Sequence, residues 1–188
     1  MNDMDTAVLA PPQLITADKL LQMPDIGRYE LVRGEIITMS PTNVDHAYLE
    51  NEIGRLLGNF VSKHKLGWVF VGEVGIFTER SPDTVRGADV SFISRQRAPQ
   101  RPRKGFLQIA PELVVEIVSP NDLWTDLNEN IEEYFALGVN WVWVVEPRRK
   151  AVRVYHGPTA VTIITDTLHG EGALAGFTLS IPDLFAEE

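Results

Sequence analysis

Two short apolar runs near the middle of the chain, Ala88 to Ile93 and Leu113 to Val118, are rich in β-branched residues and bounded by Gly, Pro and Ser. They predict two buried strands. Upstream, Tyr29 to Val32 and Glu35 to Met39 flank Arg33-Gly34, which predicts a tight hairpin with Gly34 free to take positive φ. From Asn43 to about Lys65, Val44, Leu49, Ile53, Leu56, Leu57, Phe60 and Val61 recur at helical spacing and predict one long amphipathic helix. Trp68 to Val71 and Val74 to Thr78 read as two short strands around Gly72-Glu73.

Past the second buried run, Ile131, Tyr134, Phe135 and Leu137 predict a helix over Asp126 to Leu137, closed by Gly138. Trp141 to Val145 then reads as another buried strand. This order of strand, helix and strand predicts a crossover unit whose two strands run parallel. Ala151 to His156 and Val161 to Thr165 predict a peripheral hairpin, and Phe177, Leu179, Leu184 and Phe185 a tail packed on the body. Thr16 is placed to cap a short helix, Ala17 to Met23, stopped by Pro24. Residues 1–13 have no period and read as a loose arm, which leaves 14–188 as a single domain.

Each of the two central strands carries one carboxylate, Asp89 in the first and Glu116 in the second. A charge in a core strand is costly unless it is paired or holds a metal. One such acid reads most simply as part of a local hydrogen-bond network or an ion pair with Arg. Two in consecutive buried strands favour a shared hard cation such as Mg²⁺, provided the strands lie side by side. Glu30 and Glu35 sit on the hairpin strands, and one of them is expected to face inward. His46 shares the inward stripe of the long helix with Leu49 and Ile53, a position usually filled by a hydrogen-bonded structural histidine.

Composition narrows the chemistry. The 188 residues contain no Cys, which removes disulfides, thiolate zinc sites and a Cys nucleophile. Four His residues show no metal-ligand spacing, and no Gly-rich phosphate loop occurs. There is no apolar run long enough to cross a membrane and no basic signal-peptide start, so a cytoplasmic protein is expected. The formal net charge of -9 argues against broad attraction to nucleic acid. Basic residues nevertheless cluster in one loop, at Arg95, Arg97, Arg101, Arg103 and Lys104, and in another at Arg148, Arg149 and Lys150. Such loops are commonly just solvated; phosphate contact is the functional alternative.

The succession YELVRGEI, a helix opening near His46, ADVSFI, PELVVEIVSP, a helix carrying Tyr134 and Gly138, WVWVVEP and GFTLSIPDLF resembles the Uma two family from Tyr29 to Phe185. That family has a restriction-endonuclease-like fold of the PD-(D/E)XK nuclease superfamily. The resemblance implies an α/β architecture, a central mixed sheet flanked by helices, and hydrolysis of phosphodiester bonds in DNA. It also implies that Asp89, Glu116 and the backbone carbonyl of Ile117 hold Mg²⁺ or Mn²⁺, with Glu30, His46, Glu73 and Asn130 as further site residues.

Two departures from the family pattern stand out. Ala88 replaces the motif proline, and Val118 stands where the superfamily lysine belongs. Within the family the lysine lies on the next helix, four residues before the tyrosine matched by Tyr134, and that position is Asn130. An amide brings no charge, and losing one preorganised donor commonly costs about 3–4 kcal/mol of transition-state stabilisation. The resemblance therefore leaves three readings: a weak nuclease, one that recruits Arg33, Arg86 or Lys150, or a catalytically inactive module that binds nucleic acid or a protein partner. A homodimer is expected from the superfamily's double-strand cutters. Trp68, Trp124, Trp141 and Trp143 are expected mainly to fill the core.

Overall fold

The structure, a computed structural model, describes residues 14–24, 26–120 and 122–186; the arm expected over 1–13 lies outside them. Thr16 caps α1 (Ala17–Leu20), its hydroxyl accepting from Lys19 N–H. This helix ends three residues earlier than the sequence pattern suggests. The hairpin β1 (Tyr29–Val32) and β2 (Glu35–Thr38) turns through Arg33 and Gly34. Both of those residues have positive φ, at 50° and 80°, the geometry that matches the twist of the two strands.

Helix α2 (Val44–His64) begins at Asn43, whose side chain accepts from His46 N–H, and ends at Lys65 in the left-handed region. The two strands expected next are one long strand, β3 (Gly67–Glu79), interrupted by a shift of register between Val71 and Val74. The extra residues of this bulge, Gly72 and Glu73, have φ of 89° and 55°. Such bulges re-aim side chains without ending the strand. β4 (Thr84–Ser94) then pairs antiparallel with β3.

β5 (Leu113–Ile117) is antiparallel to β4, while α3 (Trp124–Leu137) crosses over to β6 (Trp141–Glu146), which runs parallel to β5 as expected. Gly138 closes α3 at φ 104°. The sheet continues through β7 (Ala151–Tyr155) to β8 (Val161–Ile164). β7 is buried because its side chains pack into the cores on both faces of the sheet, Val152 and Val154 on one and Tyr155 on the other, while β8 is the exposed strand of this hairpin. The order is β2-β1-β4-β5-β6-β7-β8, with β3 on the other edge of β4.

Alternation along the strands divides the core between the two faces of the sheet. Val90, Phe92, Val115, Ile117, Trp143 and Val145 pack with α2 and the tail, in which β9 (Thr167–His169) and β10 (Thr178–Ser180) pair and α4 (Ile181–Leu184) follows. Ile93, Val114, Val142 and Val144 pack with α3 through Ile131 and Tyr134. The sheet is thus mixed and flanked by helices on both faces. Phe177, Leu179 and Leu184 are buried, as the tail pattern suggests, and Phe177 stacks on Trp143 at 6.1 Å. Trp124 is the exception to a core role; the residue is 40% exposed and its ring carries the Arg153 guanidinium over one face.

Candidate metal centre

The site arises where β4 changes partners. β3 runs along one edge of β4. The opposite edge is shared end to end by β1, at Leu31 and Val85, and by β5, from Val90 and Val115 onward. Residues 86–89 lie between those two partners, where backbone groups need other hydrogen bonds. Carboxylates supply them. Glu30 Oε1 accepts from Gly87 N–H at 3.0 Å, and Asp89 Oδ2 accepts from Ile117 N–H at 2.7 Å.

Asp89 is 4% exposed and its second oxygen faces His46 Nε2 at 3.0 Å. The other ring nitrogen of His46 lies 3.1 Å from Ser119 Oγ. Burial by itself lowers the His46 pKa, but the hydrogen bond and charge of Asp89, helped by Glu50, outweigh it and hold the imidazole above its ordinary value. His46 is delivered to this place by the Asn43 cap, which fixes the first turn of α2. It joins the sheet's carboxylates and does not simply fill the core.

Glu116 projects from β5 toward α3, on the opposite face from Ile117. Its Oε1 accepts a 2.7 Å hydrogen bond from the Tyr134 hydroxyl. Burial pushes the Glu116 carboxyl well above the usual carboxylate range, the Asp89 charge adds to the rise, and the Tyr134 bond pulls the other way. The same burial, with the charges of Glu116 and Glu30, raises the Tyr134 hydroxyl. The Ile117 N–H points at Asp89, and an extended residue directs its N–H and C=O to the same side, so the Ile117 carbonyl faces Asp89 as well.

A cleft of about 480 Å³ opens over these groups and is lined by Glu30, His46, Glu73, Asp89, Glu116, Ile117 and Asn130 among others. The seven residues that the resemblance points to therefore line one cleft. Ligand atoms of His46, Glu73 and Asp89 lie within 4.8 Å of one another. Asn130 stands one turn before Tyr134 on α3, and its buried side-chain oxygen has no hydrogen-bond partner among the described residues. Glu30 is the inward-facing acid of the hairpin, while Glu35 is exposed.

The cations of the cleft are committed to carboxylates. Arg86 holds Glu30 at 2.9 Å and Glu133 at 2.6 Å. Burial alone would lower the Arg86 pKa, but these two carboxylates raise it above its ordinary value. Arg28, which the sequence pattern does not single out, pairs with Glu73. Arg33 and Lys150 do not line the cleft. Seven carboxylates but only these two arginines do, among the described residues.

Glu50 is a further site residue that the sequence pattern does not single out. It lies four residues after His46, hence on the same helix face, and its Oε1 accepts from the bulge's Gly72 N–H at 2.7 Å. Burial raises its pKa, and the Asp89 charge raises it further. The spacing from His46 is the signal that could have marked it. Ser119, three residues past Glu116, offers no comparable pattern.

No helix among the described residues is long and apolar enough to cross a membrane. The fold is shared with a solved structure from Anabaena variabilis ATCC 29413, described as a "putative nuclease belonging to DUF820". The two chains are 23% identical and superpose with a TM-score of 0.76 over 91% of this chain and 97% of that one. No curated protein matches the chain. Residues 17–182 match the Uma2 family, described as "Putative restriction endonuclease". That match spans most of the chain and includes each of the cleft residues above, so the protein belongs to the Uma2 family.

Proposed function

We propose that the protein is a divalent-metal-dependent nuclease that hydrolyses phosphodiester bonds in DNA. The observation that carries this reading is the meeting of Asp89 and Glu116, from two adjacent strands, at the floor of a solvent-accessible cleft. Two buried carboxylates so placed repel one another and favour a bound cation. The donor set suits a hard ion: the Asp89 and Glu116 side chains and the Ile117 carbonyl would hold Mg²⁺ or Mn²⁺, with His46 and Glu73 beside them. When bound, the metal would supply Lewis-acid stabilisation of a phosphoryl oxygen and an activated water.

The chain's own residues provide orientation and charge. His46 and the Ile117 N–H position the Asp89 carboxylate, and Tyr134 positions that of Glu116. Asn130 offers an amide toward the same cleft. With acids outnumbering arginines there, a phosphate approaching the cleft meets a repulsive field that a divalent ion would offset.

Plasmid cleavage by the purified protein in Mg²⁺ and in Mn²⁺, beside Asp89→Ala and Glu116→Ala, tests this proposal. Metal-dependent nicking lost in both variants is expected. Equal nicking by all three proteins would overturn it.

The pairing of Arg86 and Arg28 with carboxylates favours a second reading, a nuclease-fold module that binds nucleic acid without cutting it. On that reading, metal affects stability but no preparation cleaves.

A further inference from the structure

A second cleft, of about 650 Å³, lies where the C-terminal end of α2 meets the start of β3 and the loop after β4. Lys65, Arg95, Arg101 and Arg103 line it, and no acidic residue does among the described residues. The contrast with the rest of the molecule is sharp. Arg28, Arg55, Arg86, Arg97, Arg149 and Arg153 each pair with a carboxylate, whereas these four cations have no ion pair among the described residues. In a chain of net charge -9, four unneutralised cations around one concavity form a local positive field.

The wall is also held in place. The Arg95 guanidinium lies 4.5 Å over the Trp68 ring, and its Nε donates to the Lys65 carbonyl at 3.0 Å. Trp68 Nε1 in turn donates to the Ala98 carbonyl at 3.0 Å, which ties the basic loop to β3. Arg101 and Arg103 extend this wall from the loop itself. Five residue steps along β4 lead from Asp89 to Ser94 beside this cleft, placing the two sites about 17 Å apart along the strand.

We propose that this cleft is a binding site for phosphate-ester anions, separate from the carboxylate centre. The phosphates could belong to a nucleic-acid strand or to a free nucleotide, and the cleft's volume accommodates either. The site stands on its own residues and does not depend on cleavage or metal at Asp89 and Glu116. It supplies the positive charge that the carboxylate cleft lacks.

Fluorescence anisotropy of a labelled 20-nucleotide single strand in EDTA, titrated at several salt concentrations and competed with ATP, tests the site. Arg101→Glu and Arg103→Glu are each expected to weaken binding about tenfold or more, and to reduce the dependence of log affinity on log salt by about 0.7 for each phosphate no longer neutralised. Lys19→Glu makes the same change in net charge at an exposed position outside the cleft and is expected to leave binding near wild type.

Competition by ATP at concentrations where the reversed variants no longer bind it assigns a nucleotide. Binding of the strand with no effect of ATP assigns nucleic acid. Absence of binding to either, or equal loss in Lys19→Glu and the two arginine variants, overturns the proposal. EDTA removes cleavage from the readout, so a chain without nuclease activity can still show this site, and a nuclease can lack it.

Discussion

The Tyr134 hydroxyl donates to Glu116 across the space between α3 and β5, at 2.7 Å, with both side chains buried. This bond decides how the second carboxylate is presented, because Tyr134 is the donor that reaches it among the described residues. Four residues earlier on the same face of α3 comes Asn130. The strand acid, the tyrosine that orients it and the amide beside the cleft therefore form one unit spanning two elements.

Tyr134→Phe removes that donor and leaves Glu116 buried with one hydrogen bond fewer. A loss of about 1.5–3 kcal/mol in unfolding free energy is expected, since the acceptor is a potentially charged group. Chemical denaturation checks the stability. Mn²⁺ titration calorimetry at pH 7 should show weaker binding as well, because the Glu116 carboxyl, already raised by burial, would hold its proton more tightly and metal must displace it.

The pH dependence of the metal-free fold follows from Glu116 and His46. Both have folded-state pKa values above their ordinary ones, so each binds a proton more tightly folded than unfolded. Their contribution to stability is complete below the unfolded values and is lost as pH rises through the folded ones. Thermal unfolding in EDTA should therefore show a melting temperature that falls as pH rises from the carboxylate range past that of histidine. Glu116→Gln should flatten this dependence. Mg²⁺ should restore more stability at high pH than at low pH, and an equal gain at both would count against a carboxylate-bound cation.

Arg86 bridges Glu30 and Glu133 from a side chain only 7% exposed. Arg86→Ala strands both carboxylates, and removal of one partner from a buried ion pair typically costs about 3–5 kcal/mol. Denaturant unfolding is expected to show a loss of that size. Arg86→Lys should recover only part of it, because a lysine cannot donate to both acids in the forked geometry of a guanidinium.

Asn130→Lys would place a cation beside Asp89 and Glu116 in a cleft whose arginines, among the described residues, are already paired with carboxylates. Cleavage of supercoiled plasmid in Mn²⁺ is expected to rise by about two to three orders of magnitude over wild type, the scale of one preorganised electrostatic group. Glu116→Ala added to this variant should return the rate to background. No gain from Asn130→Lys would mean that α3 does not present this position to the reacting phosphate.

Much of the fold is local in origin and legible from the pattern. The 3.6-residue spacing from Val44 to Val61 marks α2, and the Arg33-Gly34 turn marks the first hairpin. The order of β5, α3 and β6 implies their parallel pairing. The lapses are equally physical. β3 reads as two strands because Gly72 and Glu73 interrupt the alternation, yet the long partner β4 holds both halves in one ladder across the bulge. α1 stops at Leu20 although the residues up to Met23 have no helix breaker.

At the site, the pattern of the chain already picks out the acids that matter: Asp89 and Glu116 stand in apolar strands where an unpaired charge is too costly to be incidental. It also marked Asn130 as an amide where a lysine is expected. Which groups meet them depends on how the folded elements are arranged. The tandem sharing of one β4 edge by β1 and β5 opens the gap that Glu30 and Asp89 fill. The bulge in β3 brings Glu73 to His46 and Asp89. The pairing of Arg28 with Glu73, and of Arg86 with Glu30 and Glu133, takes both arginines out of play. Those partners lie tens of residues apart in sequence, and ion pairing across such separations has no periodicity to betray it; it exists only once the strands have been laid side by side.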